Sequence, residues 1–478
     1  MNPNPETRPR KPASQERAAL YVATVSSFMG PFMISAVNVA LPAIQKDFDA
    51  SAVVLGWIAN AFLLAVAVTL VPAGKIADIH GRKKIFTTGL VLYTLSSFFA
   101  AFSASVGMLI LFRIFHGLGT ALFVTTGMAI LTSIFPPQRR GRAIGIYVAA
   151  VYAGLSMGPF AGGLLTQHLG WRSLFIAVVP FGAASVYITL ALLKGEWADA
   201  RGEKLDLIGC ILYGFSILTL VYGATTLPAL WALGLLCIGL ILFFFFVRHE
   251  LHTPYPVFEV RLFVQNKVFA FSSLAALIHY SATFGITFLL SLYLQYIKGM
   301  TPQAAGTLLV AQPVVMAIFS PVAGRQSDRV EPRILASIGM ALTAAGLFLF
   351  AFLHPGTKTV FIVGTLVGIG FGFALFSSPN MSAIMGAVEK RLFGIASGAV
   401  ATMRLLGQMA SMAAVIVVFS LFIGKEAITP EHYPRFLKAV RVCFSLFSAL
   451  CTAGIFFSFF RGKLRGKKGS PSGTASEH

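Results

Sequence analysis

The chain has 478 residues, of which 56% are apolar and only 11% charged, with a mean hydropathy of +0.80 and a formal net charge of +20. That composition excludes a soluble domain and marks a polytopic membrane protein. The positive charge is spread over many short loops, with no basic patch interleaved with aromatics, which excludes a nucleic-acid interface and fits topology and anionic lipid.

A helix needs about 20 apolar residues to cross roughly 30 Å of hydrocarbon, whereas barrel strands alternate in polarity over about 10 residues. The long continuous apolar runs here predict an all-α fold. Fourteen spans are predicted, centred near Ser27, Leu64, Tyr93, Gly119, Gly154, Ser185, Phe215, Gly239, Ser281, Val314, Thr343, Gly368, Arg404 and Ser448. At about 23 residues the first apolar run is too long for a cleaved signal peptide and is expected to stay as span 1.

Charge tests the count, because cytoplasmic loops collect Lys and Arg. With the N-terminus inside, inner segments hold 27 of the 37 Lys and Arg, from Arg8, Arg10, Lys11 and Arg17 to Arg461, Lys463, Arg465, Lys467 and Lys468, and outer segments hold eight. Lys425, Arg435, Lys438 and Arg441 make the last outer loop the one mismatch, and Arg113 and Arg404 fall inside spans. A protein of the cytoplasmic membrane with both termini cytoplasmic is expected.

The inner turn after span 2 reads Gly74-Lys-Ile-Ala-Asp78-Ile-His-Gly81-Arg82-Lys83-Lys84. Gly74 and Gly81 allow tight backbone geometry, Asp78 can accept from helix N-termini or Arg, and Arg82 and Lys83 face cytoplasm and headgroups, which suits a latch between helical bundles. A basic turn that only sets topology would explain the cations but not Asp78 or its later copy. In span 4, Arg113 is a cation near the membrane centre, costing about 2.5–3.5 kcal/mol, and should face a cavity or a partner. His116 is on roughly the same helical face and able to share its pocket; the alternative is a structural Arg113 bound to helix carbonyls. In span 5, Gly154, Gly158 and Gly162 recur every four residues beside Gly163, and Pro159 adds a bend, giving a face for close helix approach.

Spans 7 and 8 carry almost no charge, with Asp206 only at the entrance, which suggests a lipid-facing pair. In span 9, His279 and Tyr280 interrupt an apolar run, His279 being either titratable near neutral pH or a core histidine. The turn after span 10 repeats the first as Gly324-Arg-Gln-Ser-Asp328-Arg329, and Arg404 in span 13 has Gln408 one turn away, with cavity and structural roles equally open. Cys210, Cys237, Cys443 and Cys451 lie in spans without metal-ligand spacing and are expected as reduced core residues.

The two turns are related by an offset of 250 residues, and Gly145 and Gly158 pair with Gly394 and Gly407 at 249. The repeat divides the chain into a tail 1–17, a six-helix bundle 18–193, a linker 194–205, two inserted helices 206–247, a linker 248–268, a second six-helix bundle 269–460 and a tail 461–478. This arrangement resembles the major facilitator superfamily, in particular its fourteen-span drug:proton antiporter branch. The loop motif is matched by Gly74, Asp78, Gly81, Arg82 and Lys83. A second motif, Arg-x-x-Gln-Gly-x-Gly, is matched from Arg113 to Gly119 with His116 in place of Gln. The antiporter signature is matched by Gly154, Gly158, Pro159, Gly162 and Gly163; Asn38-Val-Ala-Leu-Pro42, Trp171-Arg172, Asp206-Leu-Ile-Gly209 opening span 7 and Arg404 to Gln408 are also similar.

The resemblance implies export by alternating access, with H⁺ as the coupling ion and no cofactor or metal. The branch commonly has an acidic residue five positions before the Asn of span 1, where this chain has Met33, and all 17 Asp and Glu fall in loops, tails or span ends. Arg113 and Arg404 then suit an anionic or zwitterionic solute, with His116 and His279 as midplane proton candidates. The expected protein is a monomeric exporter of an amphipathic small molecule in a lipid bilayer. The alternatives are a metabolite or lipid-like anion carrier and a non-transporting receptor or scaffold. No catalytic triad or phosphate loop suggests an enzyme.

Overall fold

The computed structural model describes residues 13–327, 329–389, 393–424 and 426–462, and among these there is no strand. Fourteen helices are long and apolar enough to cross a membrane: Ser14–Phe48, Ala52–His80, Arg82–Ala101, Val106–Ile134, Arg139–Leu169, Arg172–Leu192, Leu207–Thr225, Leu230–His252, Lys267–Ile297, Pro302–Ser327, Pro332–Phe350, Thr359–Gly386, Ile395–Phe422 and Pro430–Phe460. They are numbered spans 1 to 14 in that order, and each predicted centre lies within its span.

Short polar residues begin the helices by accepting orphan backbone N–H groups. Ser51 accepts from Val54, Ser105 from Met108, Asn266 from Phe269 and Thr301 from Ala304, the last with Pro302 at the first helical position. Spans 2 and 3 are separated only by Gly81, whose φ of +114° lies where a side chain is strained.

Spans 1–6 pack as one bundle, with 1 on 5, 2 on 4, 3 on 4 and 3 on 6; spans 9–14 form a second, with 9 on 13, 10 on 12, 11 on 12 and 11 on 14. Lipid offers apolar helices no hydrophobic drive to associate, so close backbone approach carries the packing. In both bundles glycines supply it: Gly89 and Gly119 face each other across spans 3 and 4, as Gly339 and Gly372 do across spans 11 and 12. Spans 7 and 8 form a hairpin in which span 7 lies against both span 2 and span 13, so the inserted pair touches both bundles. Cys443 and Cys451 are buried, but Cys237, expected in the core, is exposed on span 8, because that helix has span 7 on one side and its other faces turn outward.

Span 9 is irregular. It runs as helix over Lys267–Thr283 and Gly285–Leu292, then as a π-turn over Tyr293–Ile297, closed by Lys298 N–H to the Tyr293 carbonyl at 3.2 Å. A π-turn holds one residue more than an α-turn and re-aims the side chains around it. Gln295 Nε2 thereby donates to the Val39 carbonyl of span 1 at 2.9 Å, and the Tyr296 hydroxyl donates to Gln45.

These contacts lie at the end of the molecule opposite the termini, called here the far end. There His168 and Gln303 are 3.2 Å apart, Gln303 N–H donates to Gln167 Oε1 at 3.3 Å, and Ala52 N–H donates to the Glu426 carbonyl at 3.0 Å. Span 5 meets span 10 chiefly through the far-end segment Pro302–Leu309. The bundles are therefore closed against each other at the far end.

Candidate transport pathway

The glycines of span 5 face two different partners. Gly154, Gly158 and Gly162 lie on span 1: a Cβ at Gly154 would come within 3.1 Å of Phe32 N, and one at Gly162 within 2.7 Å of Ala36 Cα. Gly163 turns instead to span 10, where a Cβ would sit 2.9 Å from the Pro302 carbonyl carbon, and Gly306 of span 10 faces the Pro159 carbonyl in return. One face thus builds the first bundle and the other closes it onto the second. In the repeat, Gly407 of span 13 packs on span 9, where its Cβ would lie 2.9 Å from Tyr280 Cβ.

Arg113 and His116 are brought together, 3.2 Å apart, but inside the first bundle, with 1% and 0% of their surfaces exposed. Arg113 Nε donates to the Ile58 carbonyl at 3.2 Å, and its guanidinium lies 4.4 Å from the Phe62 ring. Here the guanidinium is bound to a helix carbonyl and an aromatic face rather than lining an open path. Since an arginine only donates, His116 Nδ1 accepts and the imidazole carries its hydrogen on Nε2. Nε2 has no hydrogen-bond partner, and the ring is enclosed by Tyr93, Phe62 and Phe175.

His279 is sealed inside the second bundle, its ring stacked 4.1 Å from Phe376 and its Nδ1 3.9 Å from the Cys451 thiol. Tyr280, the next residue, points toward the first bundle. It interacts with Arg404 and Ser377 of its own bundle and with Tyr152 of span 5. The Arg404 charge in turn reaches Tyr147 of span 5. Arg404 and Gln408 are partly exposed, whereas Asn38 is buried in span 1 beside Val39. Tyr280 and Arg404 therefore face span 5 across the gap between bundles, whereas Tyr147 is buried in the first bundle with its hydroxyl donating to the Val124 carbonyl at 3.4 Å, and Arg113, His116 and His279 are kept away from the gap. Tyr147 and Tyr152 carried no sequence signal beyond their place in the glycine-rich helix.

The loop motif is an ion-pair hub. Arg82 Nε donates to Asp78 Oδ1 at 2.9 Å, Nη2 pairs with Asp199 at 2.7 Å, and Nη1 donates to Ser133 of span 4 at 3.0 Å. The linker after span 6 straps across it: Arg82 N–H donates to the Trp197 carbonyl at 2.8 Å, Ala200 N–H to the Asp78 carbonyl at 3.0 Å, Lys83 N–H to Glu196 at 2.6 Å, and Lys75 pairs with Glu203 at 2.7 Å. Lys83 Nζ donates to the Leu193 carbonyl. These partners belong to the first bundle and its linker, whereas a latch between bundles was expected. Gly74 has open space around its Cα. In the second copy, Asp328 lies outside the described residues, Gly324 faces Ser378, and Arg329 N–H donates to the Gln326 carbonyl.

Arg461 departs from its reading as a topology-setting cation. It is 1% exposed, with Nη1 donating to Asn380 at 2.5 Å and Ser272 at 3.2 Å, so it ties span 14 to spans 12 and 9. Burial pushes its guanidinium down to about 10. In sequence it is one of five cations in a basic tail, so nothing set it apart.

The profile of the Major Facilitator Superfamily matches residues 23–412 and again 272–475. The tetracenomycin C resistance and export protein of Streptomyces glaucescens is 30% identical over 445 residues, covering 90% of this chain and 82% of its own. The multidrug resistance protein Stp of Mycobacterium tuberculosis is 30% identical over 80% of this chain and 73% of its own, and the riboflavin transporter RibZ of Clostridioides difficile is 28% identical over 93% and 97%. Among solved structures, a bacterial homologue of the human lysosomal transporter Spinster, inward-facing and unoccupied, aligns with a TM-score of 0.66 at 18% identity over 94% of this chain and 97% of that one. With two six-helix bundles, an inserted pair and a profile match over most of its length, the chain belongs to the Major Facilitator Superfamily of membrane transporters.

Proposed function

We propose that the protein is a secondary active exporter of amphipathic organic compounds, working by alternating access and driven by proton antiport in the cytoplasmic membrane. The observation that carries this reading is closure at the far end, with Arg404 and Tyr280 turned toward span 5 nearer the termini and Gln408 partly exposed beside them. If the basic loops and both termini are cytoplasmic, this is the loading state of an exporter. Relatives named for tetracenomycin C export and multidrug resistance support the direction and the substrate class.

A second reading, a carrier of anionic or zwitterionic solutes, is favoured by the Arg404 guanidinium and the Tyr280 phenol between the bundles and by Met33 at the position where the branch commonly has an acid. A relative named as a riboflavin transporter shows that cargo among the relatives is not confined to drugs. Uptake of cationic, zwitterionic and anionic amphiphiles into inside-out proteoliposomes, with and without a pH gradient, separates the two. Gradient-driven uptake lost in Arg404→Ala supports export through this gap, and the charge class carried selects the reading. No gradient-dependent flux of any class from folded protein refutes proton-driven export.

A further inference from the structure

At the end of spans 7 and 8 nearest the termini, two carboxyl groups and an imidazole meet. Asp206 caps span 7, its Oδ1 accepting from Gly209 N–H at 2.9 Å. His249 Nε2 donates to both Asp206 oxygens, at 2.9 and 2.8 Å. Glu250, the next residue, is 0% exposed. Its Oε2 accepts from Phe258 N–H of the following linker at 3.0 Å, while Oε1 is buried without a hydrogen-bond partner. Glu250 Oε1 and Asp206 Oδ2 converge on one point above the Gly209 Cα, both occupying the space a Cβ there would take.

Buried acceptors without donors are costly, and facing carboxylates repel when both are ionised. A proton on Glu250 Oε1 resolves both problems, because it makes that oxygen a donor to Asp206 Oδ2. The route outward is present: the His249 side chain is 29% exposed against 8% for Asp206, and it borders a groove of about 310 Å³ with Leu212, Phe245, Arg248 and His252. The other charged or titratable groups nearby are Cys210 on span 7, Arg248 and His252 on span 8, and Arg261, which donates to the Leu251 and Thr253 carbonyls. Of the spans packed on span 7, span 2 brings Lys75, paired with Glu203, and span 13 brings Arg404 at the gap.

We propose that Asp206, His249 and Glu250 form a proton-binding site, holding one proton between Glu250 Oε1 and Asp206 Oδ2 and exchanging it with solvent through His249. The site sits between two ties. Asp206 follows the linker strapped to the Arg82 hub, and Glu250 holds the linker whose Phe258, Leu262 and Phe263 pack on Phe269, Ala396 and Val400 of the second bundle. Release of the proton sets two carboxylates against each other and loosens the hairpin between bundles. That this proton is linked to transport rests on the proton-coupled reading above; its binding does not.

Infrared difference spectroscopy between acid and alkaline pH, on purified protein in nanodiscs, tests the binding. A protonated-carboxyl band that titrates in wild type, is lost in Glu250→Gln and moves to lower pH in Asp206→Asn is the expected result. No titrating band in wild type, or one unchanged in both variants, overturns the site; if Glu250→Gln does not fold, the Asp206→Asn shift decides. The transport link is read separately from the pH profile of substrate exchange. A profile flattened in Glu250→Gln supports the link, and an unchanged profile with the band lost keeps the site but refutes its coupling role.

Discussion

Gly163 is one methyl group away from holding the bundles apart. A Cβ there would lie 2.9 Å from the Pro302 carbonyl carbon and 3.0 Å from Gln303 Cα, both backbone atoms that cannot swing aside. Carbon atoms rest about 3.5–4.0 Å apart, so Gly163→Ala must part spans 5 and 10 by roughly 0.5–1 Å at the far end. Overpacking of this kind costs about 1–3 kcal/mol. The cost falls only on the far-closed state, so the closed-to-open ratio drops about 5- to 150-fold. Gly158→Ala is the matched control, because its Cβ meets Phe32 O at 2.9 Å and Ser35 Cβ at 3.0 Å inside the first bundle, and it should lower stability without moving the equilibrium. Spin labels at Leu169 and Val360, 70% and 82% exposed at the far ends of opposite bundles, report the change by pulsed electron paramagnetic resonance. A longer-distance population that grows in Gly163→Ala alone is expected. An unchanged distribution in folded Gly163→Ala, or an equal shift in Gly158→Ala, refutes the reasoning.

Arg404→Ala should raise KM for an anionic or zwitterionic substrate about tenfold or more, the worth of a charged hydrogen bond, with thermal stability nearly unchanged; flux assays and a melting curve check both. Arg113→Met should do the reverse, lowering stability by about 1–3 kcal/mol through the lost bond to Ile58 and the unpaired His116, while KM of the surviving protein stays put. Arg82→Ala removes the hub that gathers Asp78, Asp199 and Ser133, and limited proteolysis should then cut within residues 194–205 far faster than in wild type. Asp199→Asn alone, at an exposed pair worth under about 1 kcal/mol, should leave that segment protected.

Helix number and position were legible because they follow from apolar run length, which the bilayer dictates locally. The glycine stripe of span 5 was legible as a packing face, but not the division by which Gly163 leaves span 1 for span 10, since that depends on where the second bundle docks. Arg113 and His116 were legible as a pair from their spacing; whether their shared face met a cavity or a core depended on Phe62, Tyr93 and Phe175, contributed by three other helices. The strap over Arg82 and the pocket around Glu250 were not legible at all. The strap is built from loop residues whose partners are distant in sequence, and the Glu250 pocket joins the end of span 8 to the cap of span 7 and the following linker, a meeting that no periodicity displays.

The strap also bears on how the chain can be divided. By its bonds the segment 193–203 belongs to the first half, and by its packing the stretch from Phe258 to Phe263 belongs to the second. The exchangeable unit is then the hairpin between Asp206 and Glu250. A hybrid joined just after span 6 would sever Arg82 from Asp199, whereas a graft cut at the hairpin's own ends would carry each half away with its fastenings intact.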